Sequence, residues 1–125
     1  MIHKFHEAKG KGSPSVEIWG TGTPRREFLY VDDLADACVF LMQDYAESEI
    51  DNIGVGSDIT IKELALLVKE VTGFHGELLF NAAMPDGTPR KLLDVSKLKA
   101  CGWFPKTSLQ DGIIKTYDWF RRQEL

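Results

Sequence analysis

The fold is organised around residues 17–33, EIWGTGTPRREFLYVDD, where one strand-like stretch ends at a sharp turn and a helix soon follows. Glycine and proline dominate the turn, so the strand that ends at Trp19 is predicted to be followed by a sharp turn. Two arginines follow the turn. Asp32 and Asp33 are then predicted to cap a helix, because a carboxylate accepts hydrogen bonds from the free backbone amides of a first turn.

Outward from this stretch, short strands alternate with helices along the chain. Apolar spacing and capping signals predict helices at residues 2–9, 34–47, 60–73 and 96–101, and from Ser108 onward. Strands are predicted at Val16–Trp19, Phe28–Val31, Asp51–Val55 and Glu77–Phe80. The fold class is therefore α/β (α+β), with a few short strands, three to four helices and too few strands for a complete doubly wound sheet.

The clearest local signals are those at two helix starts and one helix end. Thr60 with Glu63 three residues later forms a capping box, and Ser108 with Asp111 repeats the same spacing. Gly73 is predicted to end the third helix in the left-handed conformation. The helix at residues 34–47 has a wide apolar face, which is expected to pack against a sizeable partner.

Composition narrows the possible partners. The chain has 125 residues, enough for one domain, and a net charge of -4. That charge argues against duplex nucleic acid, which requires a basic face, but a local basic cluster can still bind a small phosphorylated ligand. No apolar run reaches membrane-spanning length, and the first residues lack the apolar centre of a signal peptide. The expected location is the cytoplasm.

The cysteines and histidines predict no metal site. Cys38 and Cys101 are far apart and are interpreted as buried small hydrophobes of a reducing compartment. None of the three histidines has metal-ligand spacing with an acid or thiol. His3 and His6 are predicted to face solvent on the first helix.

Two turns carry residues suited to an anionic ligand. Trp19 and the arginines of the first turn could stack on a base and bind a phosphate, or Trp19 could fill the core while the arginines are solvated. In the second turn, MPDGTPRK at residues 84–91, Asp86, Arg90 and Lys91 could bind a ribose and a diphosphate. Alternatively, Asp86 caps its own turn and Arg90 pairs with Asp94. One ligand site requires that the two turns meet in space.

Both turns resemble a known family. WGTGTPRREFLYVDDLADA is typical of nucleotide-sugar epimerases, dehydratases and reductases, and PDGTPRKLLD is more particular to one branch. From about Ile2 to about Phe120, the chain resembles the C-terminal part of the GDP-L-fucose synthase family. These are NADPH-dependent 3,5-epimerase-4-reductases of the extended short-chain dehydrogenase, or NAD-dependent epimerase/dehydratase, family, which act on GDP-4-keto-6-deoxy-D-mannose.

The resemblance implies a set of substrate-binding residues. Trp19 would form a wall of the guanosine pocket, Arg26 would bind the diphosphate, and Asp86 would contact the nucleotide. Lys4 takes the place of a basic residue, often Arg, that reaches the substrate. The full set implied is Lys4, Trp19, Arg26, Asp86, Arg90 and Lys91. We therefore expect residues 1–125 to be the C-terminal nucleotide-sugar-binding domain of a larger two-domain enzyme.

The catalytic residues of the family are not expected in this chain. Its glycine-rich phosphate turn, catalytic Ser, Tyr-x-x-x-Lys pair and epimerase Cys and His lie upstream in the family pattern, and none of the tyrosines here (Tyr30, Tyr45 and Tyr117) has a Lys four residues later. No catalytic or cofactor-binding residue is therefore predicted. We expect NADPH in the parent enzyme and none bound by this chain alone, which should be inactive.

The expected partners follow from this assignment. They are a GDP-sugar, the missing N-terminal Rossmann half and, through the uncovered helix 34–47, a second copy of the chain. No nucleic acid or membrane partner is expected. Two alternatives remain open: the substrate domain of a UDP- or dTDP-sugar epimerase or dehydratase, and a non-catalytic interaction module.

Overall fold

The computed structural model describes residues 1–123 of the chain, which form a small α/β unit with two sheets. In chain order its elements are α1 (Ile2–Gly10), β1 (Ser15–Trp19), β2 (Arg25–Arg26), α2 (Val31–Asp44), β3 (Ile59–Thr60), α3 (Ile61–Thr72), β4 (Glu77–Asn81), β5 (Arg90–Lys91), α4 (Ser96–Ala100) and α5 (Leu109–Arg122). None of these helices is both long and apolar enough to cross a lipid bilayer.

The main core lies between the sheet formed by β1 and β4 and the helices α1, α3 and α5. β1 and β4 run parallel, with Ser15 opposite Glu77 and Trp19 opposite Asn81. Alternate residues of β1 point inward, as expected for a strand with one buried face. The buried residues are Phe5, Ala8, Val16, Ile18, Ala65, Val68, Phe74 and Ile113.

A second, three-stranded sheet has the order β3-β2-β5. β2 pairs antiparallel with β3 and parallel with β5, and each strand is only two residues long. β5 comes from the second basic turn, and β2 directly follows the first one. This small sheet therefore joins two segments that are about 65 residues apart in sequence, which positions the candidate site.

A smaller core secures α2. Ala37 of this helix packs with Leu98 of α4 and with Trp103. The indole N–H of Trp103 donates to the Asp36 carboxylate at 2.9 Å, so the polar atom of a buried aromatic is satisfied. One side of α2 is thereby buried, while its other side is left exposed.

Elements with strong local signals match the sequence predictions. α1, β1, β4 and α4 agree within a residue or two at each end. α3 begins with the predicted box: the Thr60 hydroxyl accepts from the Glu63 backbone, and the Glu63 side chain accepts from the Thr60 backbone. Gly73 ends that helix at φ 69°, ψ 32°, and the Ser108 side chain accepts from Asp111 N at the start of α5.

Two predicted strands and one pair of helix bounds are wrong. Residues 28–30 lie between strand and helix and join no sheet, because the ladder partner is taken by Arg25–Arg26. Residues 51–55 form no strand either, since the backbone amides of Val55 and Gly56 donate to the Glu27 carboxylate instead of to a neighbouring strand. α2 spans Val31–Asp44 rather than 34–47.

The predicted capping role of Asp32 and Asp33 is also wrong. Tyr30 is the N-cap of α2, no side chain caps that end, and both acids lie in the first turn. Asp33 is buried, and its carboxylate accepts hydrogen bonds from the backbone of Lys106 and Thr107 and from the Thr107 hydroxyl. Asp33 therefore fastens α2 to the segment that leads into α5.

The cysteines and one histidine differ from expectation. Cys38 and Cys101 are both exposed free thiols, because Cys38 lies on the outward side of α2 and Cys101 follows the last turn of α4. His6 is partly buried, with its Nδ1 3.0 Å from the Tyr117 hydroxyl and its ring against Phe120. Packing of α5 over α1, which sequence spacing does not encode, places it there. His3 is exposed, as predicted.

Candidate functional site

The two basic turns contact each other through Asp86. Its Oδ1 accepts from the backbone amide of Thr21 at 2.6 Å, and its Oδ2 accepts from the Thr21 hydroxyl at 2.8 Å. Gly20 has a φ of 84°, and a Cβ built there would lie 2.2 Å from Asp86 Oδ1. Only glycine permits both that backbone conformation and this close approach. Asp86 thus closes the first turn and does not cap its own.

The three-stranded sheet also joins the two basic turns, through its strands β2 and β5. In the parallel pairing of β2 with β5, Arg25 lies opposite Arg90 and Arg26 lies opposite Lys91. Arg25 N also donates to the carbonyl of Pro89 at 2.8 Å. Four cationic residues therefore gather on two adjacent short strands of a chain whose net charge is -4.

A buried acid lies between two of these cations. The Asp58 carboxylate accepts from Arg25 Nε at 3.0 Å and from Arg90 Nε at 2.6 Å, and only 4% of its side chain is exposed. These hydrogen bonds, that of Arg90 first, hold the pKa of Asp58 below its usual value. Arg90 consequently pairs with Asp58 and not with Asp94, whose carboxylate accepts from the Ser96 amide.

Arg26 lines a cavity next to the second turn. Its Nη1 donates to the Arg25 carbonyl at 2.7 Å, and its Nη2 lies beside Gly87 of the second turn. The half-buried Arg26 lines a cavity of about 380 Å³ that also involves Ser57 and Lys106. A guanidinium held through one amino group can donate its remaining N–H groups to an anion.

One sequence interpretation placed Trp19 in the core, but the structure does not. Trp19 is the last residue of β1, and 62% of it is exposed. The backbone N–H of the next residue, Gly20, donates to the carbonyl of Asn81 at 2.9 Å, so the backbone beneath the indole is fixed. An exposed, well-anchored indole directly before the turn that Asp86 closes is suited to stacking on a planar ring.

Lys4 lies apart from the other predicted residues. Its Nζ donates to the Glu17 carbonyl on β1, which belongs to the other sheet. Lys91 is exposed at the end of β5. The structure therefore brings together the turn after Trp19, Arg26, Asp86, Arg90 and Lys91, and leaves Lys4 tied to β1.

Sequence reasoning missed several polar residues that build this site. Thr21 and Asp58 join the two turns, and Glu27 accepts from the amides of Val55, Gly56 and Leu93. Single acidic residues near turns are common, so the sequence around Asp58 does not identify it as part of a binding site. The two cations that it needs lie 33 and 32 residues away.

The geometry supports binding of a ligand with both planar and anionic parts. It combines an exposed indole, cationic residues on two paired strands, and a turn whose Thr21 amide and hydroxyl are held by a carboxylate. Arginine forks match phosphate oxygens, whereas the aromatic face matches a nucleobase.

The chain is similar to known proteins in both sequence and structure. Residues 1–54 match the NAD dependent epimerase/dehydratase family. Over 120 residues the chain is 59% identical to GDP-L-fucose synthase 1 of Arabidopsis thaliana, covering 96% of this chain and 37% of that protein. The chain thus spans a little over a third of the length of the curated relatives that it matches.

Two solved structures share the fold. The GDP-mannoheptose C4 reductase from Campylobacter jejuni, with NADP bound, is 42% identical with a TM-score of 0.85, over 96% of this chain and 43% of that one. The UDP-glucose 4-epimerase from Thermotoga maritima, with UDP-glucose, is 34% identical with a TM-score of 0.82, over 97% of this chain and 39% of that one.

Proposed function

The chain is a homologue of the C-terminal part of GDP-L-fucose synthases, in the NAD-dependent epimerase/dehydratase family, and on this premise we propose that it binds the GDP-sugar substrate of such an enzyme. Trp19 stacks on the guanine, and Arg26, Arg90 and Lys91 neutralise the diphosphate. Asp86 holds the turn beneath the nucleotide. Lys4 joins the set through the family resemblance alone, as a contact to the substrate.

The observation that carries the proposal is the meeting of the two turns. Asp86 accepts two hydrogen bonds from Thr21, and the β2–β5 pairing places Arg26 opposite Lys91. These contacts join sequence stretches that are about 65 residues apart and bring cationic residues of both turns onto paired strands, while the exposed Trp19 directly precedes the first turn. A site of this kind positions a ligand and reduces the entropy cost of its later reaction.

We propose that residues 1–125 form the nucleotide-sugar-binding domain of a larger two-domain enzyme, which would epimerise C3 and C5 and reduce C4 of GDP-4-keto-6-deoxy-D-mannose with NADPH. The chain spans only 37% of its Arabidopsis relative. Hydride transfer requires a bound nicotinamide, and the family residues that hold it have no counterpart in this sequence. We therefore propose that this chain binds the substrate without turning it over and does not itself bind NADPH.

Binding is tested by titrating the chain with GDP in a calorimeter. We expect Arg26→Ala to weaken GDP binding by about tenfold, because a charge-assisted hydrogen bond is worth about 1.5–3 kcal/mol. Trp19→Leu is expected to weaken it by a similar factor, since base stacking on an aromatic contributes about 1–3 kcal/mol.

The chain offers matched controls for both variants. Trp119 is 60% exposed on α5, almost as much as Trp19, and Arg122 lies at the end of the same helix. Trp119→Leu and Arg122→Ala should leave GDP affinity unchanged. Equal GDP affinity in wild type, Trp19→Leu and Arg26→Ala would contradict the proposed site.

A second candidate function, binding of a UDP- or dTDP-sugar, has one observation in its favour. The chain shares its fold with the UDP-glucose 4-epimerase, at a TM-score of 0.82. Parallel titrations with GDP, UDP and dTDP decide between the two. We expect GDP to bind most tightly, and a preference for UDP would support the alternative.

A further inference from the structure

One buried carboxylate lies between two arginines from paired strands. Asp58 Oδ1 accepts from Arg25 Nε at 3.0 Å, and Asp58 Oδ2 accepts from Arg90 Nε at 2.6 Å. The Asp58 carbonyl also accepts from Arg25 Nη2 at 3.1 Å. Both oxygens of the carboxylate and one backbone carbonyl are therefore committed to the two guanidiniums.

Asp58 places a negative charge between two cations of the small sheet. Arg25 and Arg90 are register partners on β2 and β5, and like charges opposite each other on neighbouring strands destabilise the pairing. Asp58 directly precedes β3, which pairs with the other side of β2. The carboxylate is thus fixed by the same sheet that it neutralises.

The bond from Arg90 leaves the rest of its guanidinium free for a ligand. Asp58 accepts from Nε only, and within residues 1–123 no other hydrogen bond of Arg90 is formed by its side chain. More than half of the Arg90 side chain is exposed. The Nε bond restrains the guanidinium, and its two terminal amino groups remain able to donate to a ligand.

We propose that Asp58 is a positioning residue for the phosphate-binding cations. It orients Arg90 through Nε and keeps β5 in register with β2, so that Lys91 lies next to Arg26. This inference rests on the proposed binding of a nucleoside diphosphate, but it names a residue that need not touch the ligand.

Simple electrostatics makes the opposite prediction. Asp58 is a negative charge close to the proposed diphosphate, so removing it would strengthen binding if only the local net charge mattered. A positioning role predicts weaker binding, because the freed arginines repel each other and lose their orientation. The sign of the change in affinity therefore separates the two explanations.

The test compares two chemically identical substitutions in the full 125-residue chain. Asp58→Asn is expected to weaken GDP binding by about tenfold, measured by calorimetry. Asp118→Asn is the matched control, because Asp118 also accepts from an arginine, Arg121 Nη2 at 2.6 Å, but lies on α5. It should leave GDP affinity unchanged. Unchanged or tighter GDP binding by Asp58→Asn would overturn the proposal.

Two further measurements test the proposal, and the second of them does not depend on whether the Asp58→Asn variant folds. Asp58→Glu keeps both acceptor oxygens and is expected to bind GDP more tightly than Asp58→Asn does; if it binds no better, the proposal fails. Nitrogen-15 NMR of the wild-type chain should show the Arg25 and Arg90 Nε–H protons exchanging with solvent more slowly than that of Arg26. Equally fast exchange would overturn the proposal even if Asp58→Asn does not fold.

The NMR experiment also distinguishes this inference from the proposed function. If the wild-type chain shows no affinity for GDP, the proposed function fails. Slow exchange at Arg25 and Arg90 in that case would still establish the bridging carboxylate, while its role in orienting cations for a diphosphate would be refuted together with the site.

Discussion

At the scale of single residues, the adjacent aspartates Asp32 and Asp33 have different structural roles. Asp32 and Asp33 both lie in the first turn of α2, where a negative charge interacts favourably with the helix dipole. Only Asp33 is buried, and only its carboxylate accepts bonds from Lys106 and Thr107. Which acid turns inward depends on the segment that passes over the helix, and the sequence around the pair does not reveal it.

We expect Asp33→Ala to lower the free energy of unfolding by about 2–3 kcal/mol, because hydrogen bonds to a charged group are lost and two backbone amides are left without a partner. Asp32→Ala is the matched control and should cost less than about 1 kcal/mol, since exposed Asp32 contributes only a dipole interaction and a solvent-exposed hydrogen bond with Tyr30. Urea unfolding followed by circular dichroism measures both. Equal losses would show that Asp33 does not fasten the segment before α5.

At the scale of elements, the sequence predicted helix ends correctly where nearby residues bond the free backbone groups of those ends. The capping box of α3 and the left-handed Gly73 involve residues a few positions apart, so their pattern is visible in the sequence. β2, β3 and β5 are each two residues long and exist only because they pair with one another. A strand of that length has no periodicity, and its formation depends on distant partners.

The α3 cap makes a prediction about both stability and pH. Thr60→Ala should lower the free energy of unfolding by about 1 kcal/mol at pH 7, whereas Thr60→Ser keeps the hydroxyl and should cost much less. The bonds from Thr60 hold the pKa of Glu63 below its usual 4.5. The unfolded chain therefore binds this proton more readily, and the stabilisation is complete above about pH 4.5 and is lost as the pH falls through the lower folded value.

Thermal unfolding of wild type, Thr60→Ala and Thr60→Ser at pH 7 and pH 3 tests the cap. The difference between wild type and Thr60→Ala should shrink at pH 3, because the protonated Glu63 no longer accepts as a carboxylate. A difference that stays constant between the two pH values would mean that Glu63 takes no part in the cap.

At the scale of the whole molecule, α2 presents an uncovered apolar face. Val31, Leu34, Val39 and Met42 are all exposed, and helical geometry places them on one side. The wide apolar stripe read from the sequence therefore faces outward over much of its area. Contiguous exposed apolar surface favours association with another protein surface.

We propose that the isolated chain self-associates through this face of α2. The weight-average sedimentation coefficient should rise with concentration, and Met42→Lys should reduce that rise, because Met42 is 84% exposed at the centre of the face. Ile50→Lys is the matched control, since Ile50 is 91% exposed in the following loop. A monomer at millimolar concentration would contradict the proposal and also remove support for a free-standing interaction module.

The sequence alone determined the alternation of helices and strands, the helix ends at Thr60, Gly73 and Ser108, and the resemblance that named the candidate residues. These depend on side chains close together in the chain, where spacing reports contact. Tertiary structure decided that the two basic turns meet, that Trp19 is exposed, and that Asp58 lies between Arg25 and Arg90. Those facts arise from pairing between segments that are 32 to 65 residues apart, and no local pattern encodes such pairing.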